Sequence, residues 1–115
     1  MTDLEIVKRY FKLSNISDFK EIEKLLSDTT IYISQNAGKY FGKINIIKMQ
    51  REFHAKFNTL NWSINSLKTL AHGTIVVDYD FKAKQQSGEN IKSTGLEFIS
   101  VKDDLIRRIE IQNKP

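Results

Sequence analysis

Between Thr74 and Lys84 the chain reads TIVVDYDFKAK. Ile75, Val77, Tyr79, Phe81 and Ala83 fall on one side of this stretch, and Asp78, Asp80, Lys82 and Lys84 fall on the other. A period of two is that of a strand with one buried face and one wet face. The segments that follow are also strand-like, and helical pattern precedes them, so this strand is expected in the middle of a curved antiparallel sheet.

The preceding residues divide into helices and one strand. Asp3 is a suitable N-cap for a first helix in which Leu4, Val7, Tyr10, Phe11 and Ser14 recur at helical spacing. After a break at Asn15–Ser17, Ser17 or Asp18 can cap a second helix, whose buried stripe is Phe19, Ile22, Leu25 and Leu26. Thr29–Gln35 is β-branched and aromatic, as a strand requires. A turn at 36–38 and the pair Tyr40-Phe41 lead through Gly42 into a third helix over about 45–57. Ile46, Met49, Phe53 and Phe57 share a face of that helix, with Ile47 and Gln50 at its edge.

Beyond Asn58 the period becomes two. Leu60, Trp62 and Ile64 alternate with polar residues, and a phase shift at Ser66 predicts a bulge. His72-Gly73 turns into the 74–84 strand. A hairpin loop over 85–90 leads to a strand from Ile91 to Val101, and a turn at 102–104 leads to a last strand from Leu105 to Gln112. The expected order is therefore α-α-β-α-β-β-β-β. This is an α+β fold, a cone-shaped curved antiparallel sheet wrapped around the N-terminal helices, formed by a single domain over 1–115.

Composition excludes several function classes. With no cysteine, disulfides and thiolate metal sites are ruled out. The 18 basic and 14 acidic residues are interleaved rather than gathered into a stripe, which argues against nucleic acid as a partner. The charged N-terminal stretch resembles neither a secretory signal nor a membrane span, so a cytoplasmic location without membrane association is expected. His54 and His72 lie at no metal-ligand spacing, and no glycine-rich phosphate loop or nucleophile elbow is present. Neither metal nor cofactor is expected.

Three stretches carry a family resemblance: VKRYFKLSNISDFKEIEKLLSDTTIYIS, YFGKINIIKMQREF, and the closing hairpin ending STGLEFISVKDDLIRRIEIQ. In the order and spacing of elements the chain resembles the nuclear transport factor 2-like superfamily, in particular its SnoaL-like and ketosteroid-isomerase-like bacterial members. The resemblance implies a homodimer and a pocket inside the cone. Isomerases of this type use a first-helix tyrosine as an oxyanion donor, a carboxylate late in the first strand as base, and a protonated acid on the penultimate strand as second donor. Tyr10 matches the tyrosine. Ser34 falls at the base and Leu96 at the second donor, so the chain lacks two of the three groups.

The last strand leaves two alternatives. Hydrophobicity would turn Leu105, Arg107, Ile109 and Ile111 inward. The resemblance turns Ile106, Arg108, Glu110 and Gln112 inward, with Leu96 and Phe98 inside and Glu97, Ile99 and Val101 outside. On the second reading Ile99, Val101, Ile109 and Ile111 form an outer apolar patch that a sheet-against-sheet homodimer would cover. Arg108 and Glu110 are then either a structural ion pair or an anion-fixing arginine beside a base of raised pKa, with Tyr10 or Tyr32 donating to a carbonyl oxygen.

The candidate catalytic residues are therefore Tyr10, Glu110 and Arg108. The candidate pocket lining is Tyr32, Ser34, Met49, Phe53, Val77 and Tyr79, with Phe81, Leu96 and Phe98. Trp62 with Tyr32, Tyr40, Phe41 and Phe81 makes either an aromatic wall or ordinary core, and Asp78 and Asp80 belong to the solvent face. The expected function is binding of a small, largely apolar molecule. The alternatives are an isomerase, cyclase or dehydratase using Glu110 or another pocket acid, and a non-catalytic dimeric interaction module.

Overall fold

The elements run α1 (Asp3–Asn15), α2 (Phe19–Glu23), β1 (Leu26–Ser34), β2 (Gly38–Phe41), α3 (Lys43–His54), β3 (Phe57–Thr69), β4 (Ile75–Gln85), β5 (Asn90–Lys102) and β6 (Leu105–Gln112) in the computed structural model, which describes residues 1–115. Thr2, not Asp3, caps α1. Its hydroxyl accepts from the Glu5 amide while Glu5 accepts from the Thr2 amide. Asp18 caps α2, accepting from the Glu21 amide.

There are six strands where five are expected. The short apolar pair Tyr40-Phe41 belongs to β2, which pairs antiparallel with β1 from Ile31↔Phe41 to Ser34↔Gly38. The Ser34 hydroxyl holds the intervening turn by accepting from the amides of Asn36 and Ala37, both at 3.2 Å. Gly42 then leaves β2 at a φ of 85°, and a Cβ there would stand 2.9 Å from the Asp28 carbonyl oxygen, so both backbone and space require glycine.

The sheet order is β2-β1-β6-β5-β4-β3. Every neighbouring pair is antiparallel except β1 and β6, which run parallel. These two strands lie at opposite ends of the chain, so no hairpin fixes their relative direction. The expected bulge at the Ser66 phase shift is present as a register slip between Ile64 and Ser66. A second slip lies between Phe57 and Thr59. Bulges of this kind coil the sheet around the helices. The concave face and the helices enclose one cluster of 20 buried apolar residues, and β4 contributes the five that its alternation predicts.

Strand parity departs from the resemblance-based expectation. A hairpin loop over 85–90 would pair Lys84 with Ile91 and turn the even-numbered residues of β5 inward. The strands in fact close one residue sooner, with Lys84 opposite Asn90 and Val77 opposite Glu97. A one-residue slip exchanges the two faces of a strand. Glu97 and Ile99 are consequently buried, and Leu96 and Phe98 lie on the outer face. In β6, Ile106 pairs with Val101, but Arg108 pairs with Ser100 and Ile109 with Ile99. The extra residue, Arg107, reverses the phase. Ile106 and Ile109 are both fully buried, and Arg108, Glu110 and Gln112 point outward. Of the outer patch offered as a homodimer surface, Ile99 and Ile109 lie in the core and Ile111 faces the interior of the cone. No helix is long and apolar enough to cross a membrane.

Candidate functional site

Between α1, α3 and the concave sheet lies a cavity of about 560 Å³. Its exposed rim includes Asn36, Ala37, Glu52, Lys56 and Ser93. One inner wall is aromatic. Trp62 and Phe81 pack in a tilted pair with centroids 4.7 Å apart, and Phe53 lies 5.2 Å from Phe57 and 5.9 Å from Phe81. Cation-bearing side chains reach only the rim, where the Lys56 ammonium stands 6.0 Å over the Phe53 ring.

The deep end is polar, and five side chains converge there. Tyr10 comes from the buried stripe of α1, Gln50 from that of α3, and Tyr32, Tyr79 and Glu97 from β1, β4 and β5. The stripe of α3 is centred on Ile46, Ile47 and Gln50, rotated from the expected Ile46–Met49–Phe53 face, which brings the amide inward. Gln50 Nε2 donates to the Tyr10 hydroxyl at 2.8 Å. The hydroxyl proton of Tyr10 is thus free to donate. Tyr79 lies across the strand pair with its ring over Gly95, where a Cβ would meet ring atoms at 2.7 and 2.9 Å. Glycine at that position makes room for the ring.

Glu97 is the unusual member. It is 3 % exposed, and burial pushes its carboxyl up to about 8, with no cation or hydrogen-bond donor to offset the desolvation. Burial likewise holds the Tyr10 and Tyr32 phenols well above their ordinary value and pushes Tyr79 up to about 12. The Glu97 charge adds to all three shifts, which places the groups within electrostatic reach of one another. At neutral pH the deep end is therefore three phenols and a largely protonated acid.

Seven of the sequence candidates line this cavity. Tyr10, Tyr32, Met49, Phe53, Tyr79 and Phe81 face into it, and so does Ser34, whose hydroxyl is already occupied by the β1–β2 turn. The structure corrects the remainder. Val77 is fully buried beneath the lining and forms no part of it. Leu96 and Phe98 are on the outer face for the register reason given above.

Arg108 and Glu110 are outside as well, 2.9 Å apart, with Gln112 donating to the second Glu110 oxygen at 2.6 Å. The Gln112 hydrogen bond and the Arg108 guanidinium hold Glu110 below the ordinary carboxylate range, the opposite of what a buried base needs. The two are the structural ion pair. Trp62 and Tyr40 line the cavity with the candidates, whereas Phe41 is exposed.

Sequence reasoning missed Glu97, Gln50 and His54 as lining residues. The signal for Glu97 was the length of the β4–β5 loop, which sets the facing of the whole strand. Gln50 was legible as the residue one turn beyond Ile46 and Ile47. His54 sits between Phe19, at 4.7 Å, and Trp62, at 5.3 Å, with Nδ1 2.8 Å from the Ser17 hydroxyl. Burial lowers it to about 4, so it is neutral at pH 7. No three His, Asp or Glu side chains gather to hold a metal ion.

No protein-family model and no curated protein sequence matches the chain. Solved structures do. A protein from Shewanella putrefaciens assigned as a SnoaL-like polyketide cyclase superposes with a TM-score of 0.83 at 15% identity, over 96% of this chain and 89% of that one. A protein of ketosteroid isomerase-like fold from Catenulispora acidiphila, solved with trimethylamine, gives 0.86 at 10% identity over 98% and 88%. A nuclear transport factor 2-like protein of unknown function from Exiguobacterium gives 0.85 at 16% identity over 95% and 98%. The fold is that of the nuclear transport factor 2-like superfamily. At these identities the likeness is one of fold, and the chemistry of this cone rests on its own residues.

Proposed function

We propose that the cone cavity binds a small, largely apolar carbonyl compound and that Glu97 exchanges a proton with it. The observation that carries this reading is the buried, unpartnered Glu97 carboxyl beside three phenols at the closed end of an aromatic-walled cavity. The volume suits a drug-sized molecule, for which a few hundred Å³ is needed. The aromatic wall favours a ring system, and the absence of a deep cation disfavours a carboxylate or phosphate. The fold neighbour assigned as a polyketide cyclase is consistent with such a ligand.

The chemistry follows from the protonation states. Tyr10 keeps its proton and donates it as a hydrogen bond to the carbonyl oxygen, and Gln50 fixes the phenol by donating to it. With its pKa near 8, Glu97 is ionised in about one molecule in ten at pH 7, and that fraction is a stronger base than an ordinary carboxylate. It removes the proton from the carbon next to the carbonyl, and the enolate oxygen that forms is held by the Tyr10 O–H. Return of the proton to another carbon is isomerisation. Attack of the enolate carbon on a second carbonyl closes a ring.

The test is deuterium exchange. Ring ketones that raise the melting temperature are incubated with the protein in D2O, and loss of the α-proton is followed by NMR. Exchange is expected to rise with pH through about 8, to fall by at least about a hundredfold in Glu97→Gln, and to persist in Glu110→Gln. Equal exchange by Glu97→Gln and the parent would remove Glu97 from the chemistry. A ligand that stabilises the protein without exchanging leaves a binding protein in which Glu97 serves only as a donor.

A further inference from the structure

The deep end contains one fully buried side-chain polar atom without a hydrogen-bond partner, Gln50 Oε1. The side chain is 6 % exposed, lines the cavity, and is anchored through Nε2 on the Tyr10 hydroxyl. An unpaired buried carbonyl oxygen is destabilising, and native proteins leave few of them. Ile46 and Ile47, one turn earlier on the same stripe, are apolar and buried. Leucine at position 50 would continue the stripe without that cost.

We propose that Gln50 is a specificity-determining residue: its Oε1 accepts a hydrogen bond from a ligand hydroxyl adjacent to the oxygen held by Tyr10, so that the cavity selects cyclic α-hydroxy ketones over ketones lacking the donor. This rests on the carbonyl reading above and sharpens it. The geometry comes from the amide itself. Its nitrogen is fixed on the Tyr10 hydroxyl, which holds its oxygen at the same end of the cavity, where a hydroxyl next to the ligand oxygen held by Tyr10 would meet it. The other deep polar groups, Tyr10, Tyr32, Tyr79 and neutral Glu97, can all donate, whereas Gln50 Oε1 can only accept and has no partner. A site built around one buried acceptor discriminates strongly against a ligand that cannot supply its hydrogen.

Isothermal titration with three probes of one skeleton tests this: 1-tetralone, 2-hydroxy-1-tetralone and 2-methoxy-1-tetralone. The hydroxy ketone is expected to bind at least about tenfold tighter than either of the others. In Gln50→Leu the ratio is expected to collapse to about one, with folding checked by circular dichroism. The probe series on the unmodified chain stands as a test even if the variant fails to fold. Equal affinities for the hydroxy and methoxy compounds overturn the Gln50 assignment while leaving the carbonyl reading in place. Preference for the methoxy compound overturns it too, because that result means the amide presents Nε2 to the cavity. A hydroxyl preference that survives Gln50→Leu assigns the acceptor elsewhere. If none of the three binds, the carbonyl reading falls and the Gln50 assignment falls with it.

Discussion

Glu97 and Gly95 show how much of this site rests on single residues two apart on one strand. Gly95 lies directly opposite Tyr79, and the phenol ring occupies the space that a side chain at 95 would fill. We predict that Gly95→Ala costs about 1–3 kcal/mol by forcing that ring off its position. The loss should shrink by at least about 1 kcal/mol when Tyr79 is already alanine, because the two positions share one volume. A double-mutant cycle from urea unfolding measures the coupling, and strictly additive losses would show that the ring does not depend on the glycine. The glycine was plain in the sequence. Its purpose was not, because only the cross-strand register reveals which residue lies over it.

At the scale of elements, α1 and the 74–84 strand were legible because their periodicity is long and clean, whereas α2 closes after five residues and the buried stripe of α3 is rotated from the expected one. Strand facing in β5 and β6 was not legible. LEFISV places apolar residues at both parities, so hydrophobic pattern could not choose between them, and one residue of loop length and one bulged arginine decided the matter. The junction of α1 with the sheet edge was also hidden. Asn15 donates to the Trp62 carbonyl at 3.0 Å and accepts from the Trp62 amide at 2.6 Å. In effect the side-chain amide adds one residue of ladder to β3, the edge strand beside the aromatic wall. Nothing local in the sequence announces a contact that spans 47 positions. We predict that Asn15→Leu destabilises the fold by about 1–2 kcal/mol and speeds hydrogen exchange at the Trp62 amide selectively. Unchanged protection at Trp62 would show that the clamp does not hold the edge.

Over the whole molecule, buried Glu97 and half-buried His54 set opposing pH dependences. Glu97 has its pKa raised from 4.5 to about 8, so the folded chain keeps a proton that the unfolded chain releases. Its contribution is complete below about 4.5, declines as pH rises, and is exhausted by about 8, with a span of at most about 5 kcal/mol. His54 is lowered from 6.5 to about 4, so the unfolded chain takes up a proton that the folded chain refuses, and stability is lost as pH falls from 6.5 toward 4. Between about 4.5 and 6.5 the two slopes run against each other. We predict a plateau over that interval, a decline from about 6.5 to 8 where Glu97 acts alone, and a level stretch above.

Glu97→Gln should remove the decline and leave the protein more stable than the parent at pH 8.5. It should also expose the His54 slope as a steady rise from pH 4 to 6.5. Urea midpoints at half-unit pH intervals would read all of this. A parent curve that stays flat from 6.5 to 8.5 would mean that Glu97 ionises freely in the folded chain. The base proposed for the cavity would then have no more than an ordinary carboxylate's strength.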